Sequence, residues 1–204
     1  MPGRNIIKVD AVDSYYHVYA RGLNKQEIFL DESDFAFFLY LLKRYLSHTN
    51  VTSNRGVAYV KLYDDVQVLS YCLMPNHFHL LIYQVNERAM TKLMRCVLTS
   101  YSQYFNRRYR RSGPLFGSCY RASRVGSEHY LLHITRYIHL NPLAWRTYNY
   151  SSLKYYLGDV VAPDWIDMTR IMKLYDSRAE YLTFLEDYLE KHDEIDVLKH
   201  QLAI

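Results

Sequence analysis

The sequence predicts an α+β fold with a mostly antiparallel sheet and a helical extension at its C-terminal end. Three observations predict it. Strand-like and helix-like segments follow one another as strand, helix, hairpin, helix, strand, helix. Two of the strand candidates are separated only by Met74-Pro75-Asn76, which turns the chain and makes them hairpin partners. Beyond Tyr150 the pattern changes to short helical segments alone.

Tyr15 to Arg21 is rich in strand formers and stops at Gly22. Asp31 is followed by Glu32, Ser33 and Asp34, acids that favour a helix start. Phe35, Phe38, Leu39, Leu42 and Leu46 then recur at helical spacing. Asn50 to Gly56 is turn-like, and Val57 to Tyr63 reads either as a short strand or as part of a loop insertion. Val66 to Leu73 and His77 to Tyr83 are the hairpin strands. Leu93, Val97, Leu98, Tyr101, Tyr104 and Phe105 mark a second helix from Ala89 to Tyr109. A basic loop follows, then a short strand near Tyr120 to Val125. Ser127 caps a third helix that runs to about Leu140 and stops at Asn141-Pro142. Ser151 to Gly158 reads as a short helix and its end. Trp165 to Leu174 and Arg178 to Leu202 read as helical appendages, the last with a stripe of Leu182, Leu185, Leu189, Ile195 and Leu198. The expected division is therefore residues 1–158 and an extension, 159–204.

With 204 residues the chain can form one domain with an appendage, and half of its residues are hydrophobic, which argues against disorder. No apolar run approaches the length of a membrane span, and Met1 to Asn5 lacks the apolar segment of a secretory signal, so a cytoplasmic protein without a membrane partner is expected. The three cysteines, Cys72, Cys96 and Cys119, are odd in number and far apart. They suit free thiols in a reducing compartment.

The net charge of +4 is unevenly spread. No acid occurs between Glu87 and Glu128, while Arg88, Lys92, Arg95, Arg107, Arg108, Arg110, Arg111, Arg121 and Arg124 do. That segment points to a polyanion partner. Between Asp176 and Asp196 the bias reverses, with eight acids against Arg178 and Lys191. The acidic last helix could dock on its own domain, pair with another chain or cover the basic groove. With 22 tyrosines, presence alone marks none as reactive.

The chemistry-bearing residues fall in two places. His77 and His79 flank Phe78 on a strand, so both imidazoles project from one side, as at a two-ligand metal platform or a partly exposed strand edge. On the third helix His133, Tyr137 and Asn141 recur every four residues and share a face. Together they suggest a site in which His77, His79 and Asn141 hold a divalent ion and Tyr137 attacks a phosphate. A phenol is a good leaving group, so such a bond can be resolved by a free 3′ hydroxyl. Tyr101 and Tyr104 fit an apolar stripe and are assigned to packing. His17, His129 and His139 have no partner at ligand spacing and default to structural or surface roles. Cys72 and Cys119 read as buried small residues.

Met74-Pro75-Asn76-His77-Phe78-His79-Leu80-Leu81 resembles the His-hydrophobic-His motif of IS200-like single-tyrosine transposases, closest to the REP-associated tyrosine transposases. Gly113-Pro114-Leu115-Phe116, Tyr120-Arg121, Arg136 to Pro142 and Tyr150-Ser151-Ser152 match later signatures of that group. The resemblance spans about Tyr15 to Gly158. It implies a ferredoxin-like antiparallel sheet with helices packed on one face. It also implies a metal-dependent strand transferase that cleaves and rejoins single-stranded DNA at hairpin-bearing ends through a 5′-phosphotyrosine link. Tyr137 would be the nucleophile, His77 and His79 the ligands of Mg2+ or Mn2+, and Asn141 an extra ligand where other branches carry Gln. Lys92, Arg95, Arg107, Arg108, Arg110, Arg111, Arg121 and Arg124 would hold the DNA, with Arg21 and Asn24 near its approach. Relatives work as dimers or as monomers. Two alternatives stand beside this: a silent descendant that binds single-stranded nucleic acid, and a metal phosphodiesterase without a covalent intermediate.

Overall fold

The computed structural model describes residues 10–49, 52, 56 and 58–190, with the side chains of 189 and 190 excepted. Four antiparallel strands, β1 (Ser14–Arg21), β2 (Val66–Met74), β3 (His77–Gln84) and β4 (Arg121–Val125), form one sheet in the order β2-β3-β1-β4. Helix α1 (Glu32–Leu46) connects β1 to β2, and α2 (Ala89–Arg108) connects β3 to β4. This is the ferredoxin-like arrangement, and the antiparallel α+β expectation holds. Then follow α3 (Glu128–Leu140), α4 (Leu153–Leu157), α5 (Thr169–Met172) and α6 (Arg178–Glu190).

Local sequence explains the boundaries. The Asp31 carboxylate accepts from the backbone N–H of Ser33 and Asp34 and so starts α1. Ser127 does the same for α3 by accepting from Tyr130 N–H at 3.2 Å. Gly22 N–H donates to the Asn76 carbonyl, and Ile28 and Phe29 N–H both donate to the Pro75 carbonyl, so the segment after β1 is tied to the hairpin turn. A Cβ on Gly22 would stand 2.1 Å from the Gln26 carbonyl oxygen, so this close approach needs glycine. Between 58 and 63 no strand forms among the described residues. Leu62 is buried there, and only an isolated bridge joins Thr52 to Ala58.

The expectation of helices on one face holds for α1 and α2, but the other face is covered as well. Phe38, Leu42, Leu93 and Val97 pack with Val18, Phe78, Leu80 and Ile82 on the first face. Ile134 and Ile138 of α3, with Tyr156, Ile171, Tyr181 and Leu185, pack with Leu69, Leu81 and Tyr83 on the second. The physical reason lies in β2 and β3, which are buried at nearly every position. A sheet apolar on both faces must be covered on both. A one-residue irregularity between Val68 and Ser70 sets which face each later residue of β2 meets. It leaves Tyr71 in the first cluster and Cys72 in the second.

Residues beyond 158 take part in the same packing. Trp165 and Ile166 belong to the first cluster, with Trp165 stacked on Tyr71 at 5.7 Å. Residues 150–152 and 166–167 bond along the outer edge of β2: Leu73 N–H to Tyr150 O, Ser152 N–H to Tyr71 O, and Asp167 N–H to Val68 O. That covers an otherwise open edge. Helix α6 docks on its own domain through Tyr181, Leu185 and Tyr188. Of the expected stripe, Leu185 is buried and Leu182 only half-buried, while Ile195 and Leu198 lie outside the described residues, as does the side chain of Leu189. The described part of the acidic helix packs with α4 and the second-face cluster. Among the described residues no helix is long and apolar enough to cross a membrane.

Candidate active site

Register builds the site. Tyr19 pairs with His79 and Arg121, and Cys72 with His79, so all four side chains stand in one row across the sheet. The next row holds Met74, His77 and Arg21. Both rows face α3. The His77 and His79 rings lie 4.9 Å apart at 85°. His77 is half-buried, with Nδ1 at 2.6 Å from Asn76 Oδ1. His79 is fully buried, and its Nδ1 lies 2.9 Å from Nε2 of His17. His79 Nε2 is buried and has no partner.

Helix α3 carries Tyr137 over this platform. Its ring is 8% exposed and meets the edge of His79 at 5.3 Å and 84°. Asn141, at the end of α3, lies beside both His77 and Tyr137 and acts on the protonation of each. The expected polar stripe divides: Tyr137 turns inward, while His133 bonds Arg136 at 2.7 Å and His129 at 2.9 Å near the surface.

Burial sets the protonation. It pushes His77 down to about 4, with Arg21 adding to the effect and Asn141 opposing it. It holds His79 well below the usual imidazole range, helped by His17, His77 and Arg21. Both rings are neutral near pH 7, the form that offers a lone pair. Burial also raises the Tyr137 phenol above its usual value, opposed by Asn141 and by Arg21. Among the described residues no group of three or more His, Cys, Asp or Glu is disposed to hold an ion. The donors here are two imidazoles and one amide.

A cleft of about 350 Å³ opens beside the histidines, lined among others by Tyr19, Arg21, Asn24, Lys25, Gly117, Ser118 and Arg121. Arg21 and Arg121 thus stand where a site cation belongs, with the Asn24 amide beside them. Lys25 and the Gly117-Ser118 turn join them without any signal in the sequence. The other expected cations scatter. Lys92 is exposed on α2. Arg95 lines an adjoining groove of about 840 Å³ that shares Gly117 and Ser118 with the cleft. Arg107 lines a separate hollow with Phe37, Arg44 and Tyr59. Arg110 is exposed in the loop, and Arg111 donates to Gln26 Oε1 at 3.0 Å. Arg124 projects from the opposite side of β4 to Arg121. Arg108 is tied to Asp34 at 2.9 Å and to Asp31 at 2.5 Å, beside Tyr104. Its guanidinium braces the start of α1, and the cations of the basic segment are spread over several surfaces. The reason is geometric: residues wind around α2 by about 100° each, and contiguity in sequence is not contiguity on a surface.

His17 is the neighbour of His79 that sequence reading missed. It pairs in register with Leu81, one step diagonal to His79. No spacing rule links residue 17 to residue 79.

Comparison with known proteins agrees with the residues. No curated protein matches the chain. Among solved structures, a REP-associated tyrosine transposase bound to a REP hairpin superposes with a TM-score of 0.53 at 13% identity, covering 80% of this chain and 92% of that one. That likeness concerns the fold. A second structure, from Deinococcus radiodurans R1 and described as a transposase candidate, matches at a TM-score of 0.39 and 14% identity, over 68% of this chain and 95% of that one. At that score it carries no argument. The family described as "Transposase IS200 like" matches residues 12–141, a span that runs from β1 through the platform histidines to Tyr137 and Asn141, and the chain belongs to that family.

Proposed function

We propose that the protein is a metal-dependent strand transferase that cleaves and rejoins single-stranded DNA at hairpin-bearing ends. Tyr137 acts through its phenolic oxygen. A bond forms from Tyr137 Oη to phosphorus as the P–O3′ bond breaks, giving a 5′-phosphotyrosine and a free 3′ oxygen. The phenolic proton is lost and the leaving 3′ oxygen ends protonated. Attack by a 3′ hydroxyl runs the step backwards and returns the tyrosine. The solved relative's description names a REP hairpin, which supports hairpin-bearing DNA as the class of substrate.

The observation that carries this reading is the contact of Tyr137 with His79 at 5.3 Å, beside His77, whose ring lies 4.9 Å from that of His79. The residues fit a divalent ion, Mg2+ or Mn2+. His79 Nε2 is a buried nitrogen with no partner, which is costly unless something binds it. His77, His79 and Asn141 would hold the ion, which when bound polarises the phosphoryl oxygens and offsets developing charge. Arg21 and Arg121 line the cleft and attract the phosphate. Asn141 orients the Tyr137 hydroxyl and opposes the effect of burial on it.

The test is a denaturing gel. The protein is mixed with Mn2+ and labelled hairpin oligonucleotides, including DNA flanking its own gene. The expected result is a covalent adduct that is lost with chelator and lost in Tyr137→Phe. Cleavage without an adduct would replace the proposal with a phosphodiesterase. Tight binding without either product would favour a silent DNA-binding descendant.

A further inference from the structure

His17 is 0% exposed, and no role in the chemistry above requires it. Its surroundings are unusual for a space-filling residue. Its Nε2 lies 2.9 Å from His79 Nδ1, and the two rings are nearly parallel, 18° apart at 5.1 Å. Tyr19 stacks against it at 5.0 Å, and Tyr137 meets it edge-on at 6.0 Å. These contacts restrain the ring at one orientation. Its own Nδ1 is buried without a partner.

One proton must lie between His17 Nε2 and His79 Nδ1. Both rings are fully buried, which disfavours a charged imidazole at either position. Two arrangements are then available. If His17 donates, the single ring proton of His79 sits on Nε2, and that atom has no lone pair for an ion. If His79 donates from Nδ1, its Nε2 is left with the lone pair. Only the second arrangement leaves His79 able to ligate.

We propose that His17 is a positioning residue that accepts the Nδ1–H of His79 and thereby keeps the His79 Nε2 lone pair free for the ion. The inference rests on the reading of His79 as a metal ligand. Histidine takes the place that a carboxylate or backbone carbonyl commonly fills behind a ligating imidazole. A neutral acceptor adds no charge behind the ligating ring.

The test is Mn2+ affinity of the full chain without DNA, by isothermal titration calorimetry, for wild type, His17→Phe, His17→Gln and His79→Ala. Loss of the acceptor in His17→Phe should weaken Mn2+ binding about 10- to 100-fold, whereas His17→Gln, which keeps an acceptor near the Nε2 position, should stay within about threefold of wild type. Folded His17→Phe that binds Mn2+ as tightly as wild type, while His79→Ala does not, would overturn the role of His17 and leave the metal site standing. Wild type that binds no better than His79→Ala would overturn both. Should His17→Phe fail to fold, long-range proton–nitrogen correlation on the Mg2+-saturated wild type decides. The proton on His79 Nδ1 is expected, and a proton on His79 Nε2 would overturn the inference.

Discussion

The two faces of the sheet come from the same four strands and both bury an apolar cluster, but the second also buries the imidazoles of His17 and His79. Toward α1 and α2 the strands present Val18, Phe78, Leu80 and Ile82 to a layer of Phe, Leu and Val side chains. Toward α3 they present His17, His79, Ser70 and Cys72, and the helix answers with Tyr137 and His139. On this second face His17 Nδ1, Ser70 Oγ and His79 Nε2 are buried without partners. Buried polar atoms without partners cost stability, so they persist where the rest of the fold can support them. The difference teaches that both layers bury an apolar core, while the second also holds the desolvated imidazoles of the candidate site.

Separate substitutions should break the two faces apart. The largest effect is expected from Tyr137→Phe, which on the proposed mechanism removes the attacking oxygen and should lower strand cleavage by about 10³-fold or more. Its midpoint in urea should stay close to wild type, because the ring packing is kept. Gel-resolved cleavage and chemical denaturation measure both. A large loss of stability would mean that the Tyr137 hydroxyl also carries the fold.

Phe38→Ala is the converse. Phe38 is fully buried between Phe29, Phe78 and Tyr101, and its loss should cost about 3–5 kcal/mol in urea unfolding. Cleavage per folded molecule should be unchanged. A proportional fall in cleavage would show that the faces are coupled.

The second face should also be the acid-sensitive one. His139 is enclosed between Tyr181 Oη at 2.5 Å and Ser152 Oγ at 2.8 Å, and burial lowers it from 6.5 to about 3. The unfolded chain therefore binds a proton there that the folded chain refuses. Stability is full above about pH 6.5 and is lost as pH falls toward 3, by up to about 1.4 kcal/mol per pH unit. Urea midpoints measured between pH 7 and pH 4 should fall less steeply in His139→Gln. Equal slopes would remove His139 as the cause.

The smallest effects concern the cations. Arg121→Ala should reduce DNA affinity modestly and lower the salt dependence by about one counterion. Arg108→Ala should leave that salt slope unchanged and lower the urea midpoint, because its guanidinium holds Asp31 and Asp34. Fluorescence anisotropy at several salt concentrations separates them. A reduced salt slope in Arg108→Ala would return that residue to the DNA.

The strands, the three long helices and their caps were legible in the sequence, because each depends on residues close together in the chain. Asp31 and Ser127 cap the helices they were expected to start. His77 and His79 share a face through the two-residue period of a strand, and Tyr137 and Asn141 share one through a turn of helix. What joined these pairs was tertiary. His17 reaches His79 through the register of β1 on β3, and Cys72 enters the same row through the irregularity at Val68 and Ser70. The basic segment was visible as composition, yet the winding of α2 and the pairing of Arg108 with α1 dispersed it. The extension read as appended helices, but Trp165 and Tyr181 place it in both cores. Periodicity along one element is a local property, so the sequence by itself determined which side chains share a face. Which faces meet is set by register, packing and burial between distant segments, and only the tertiary structure decided it.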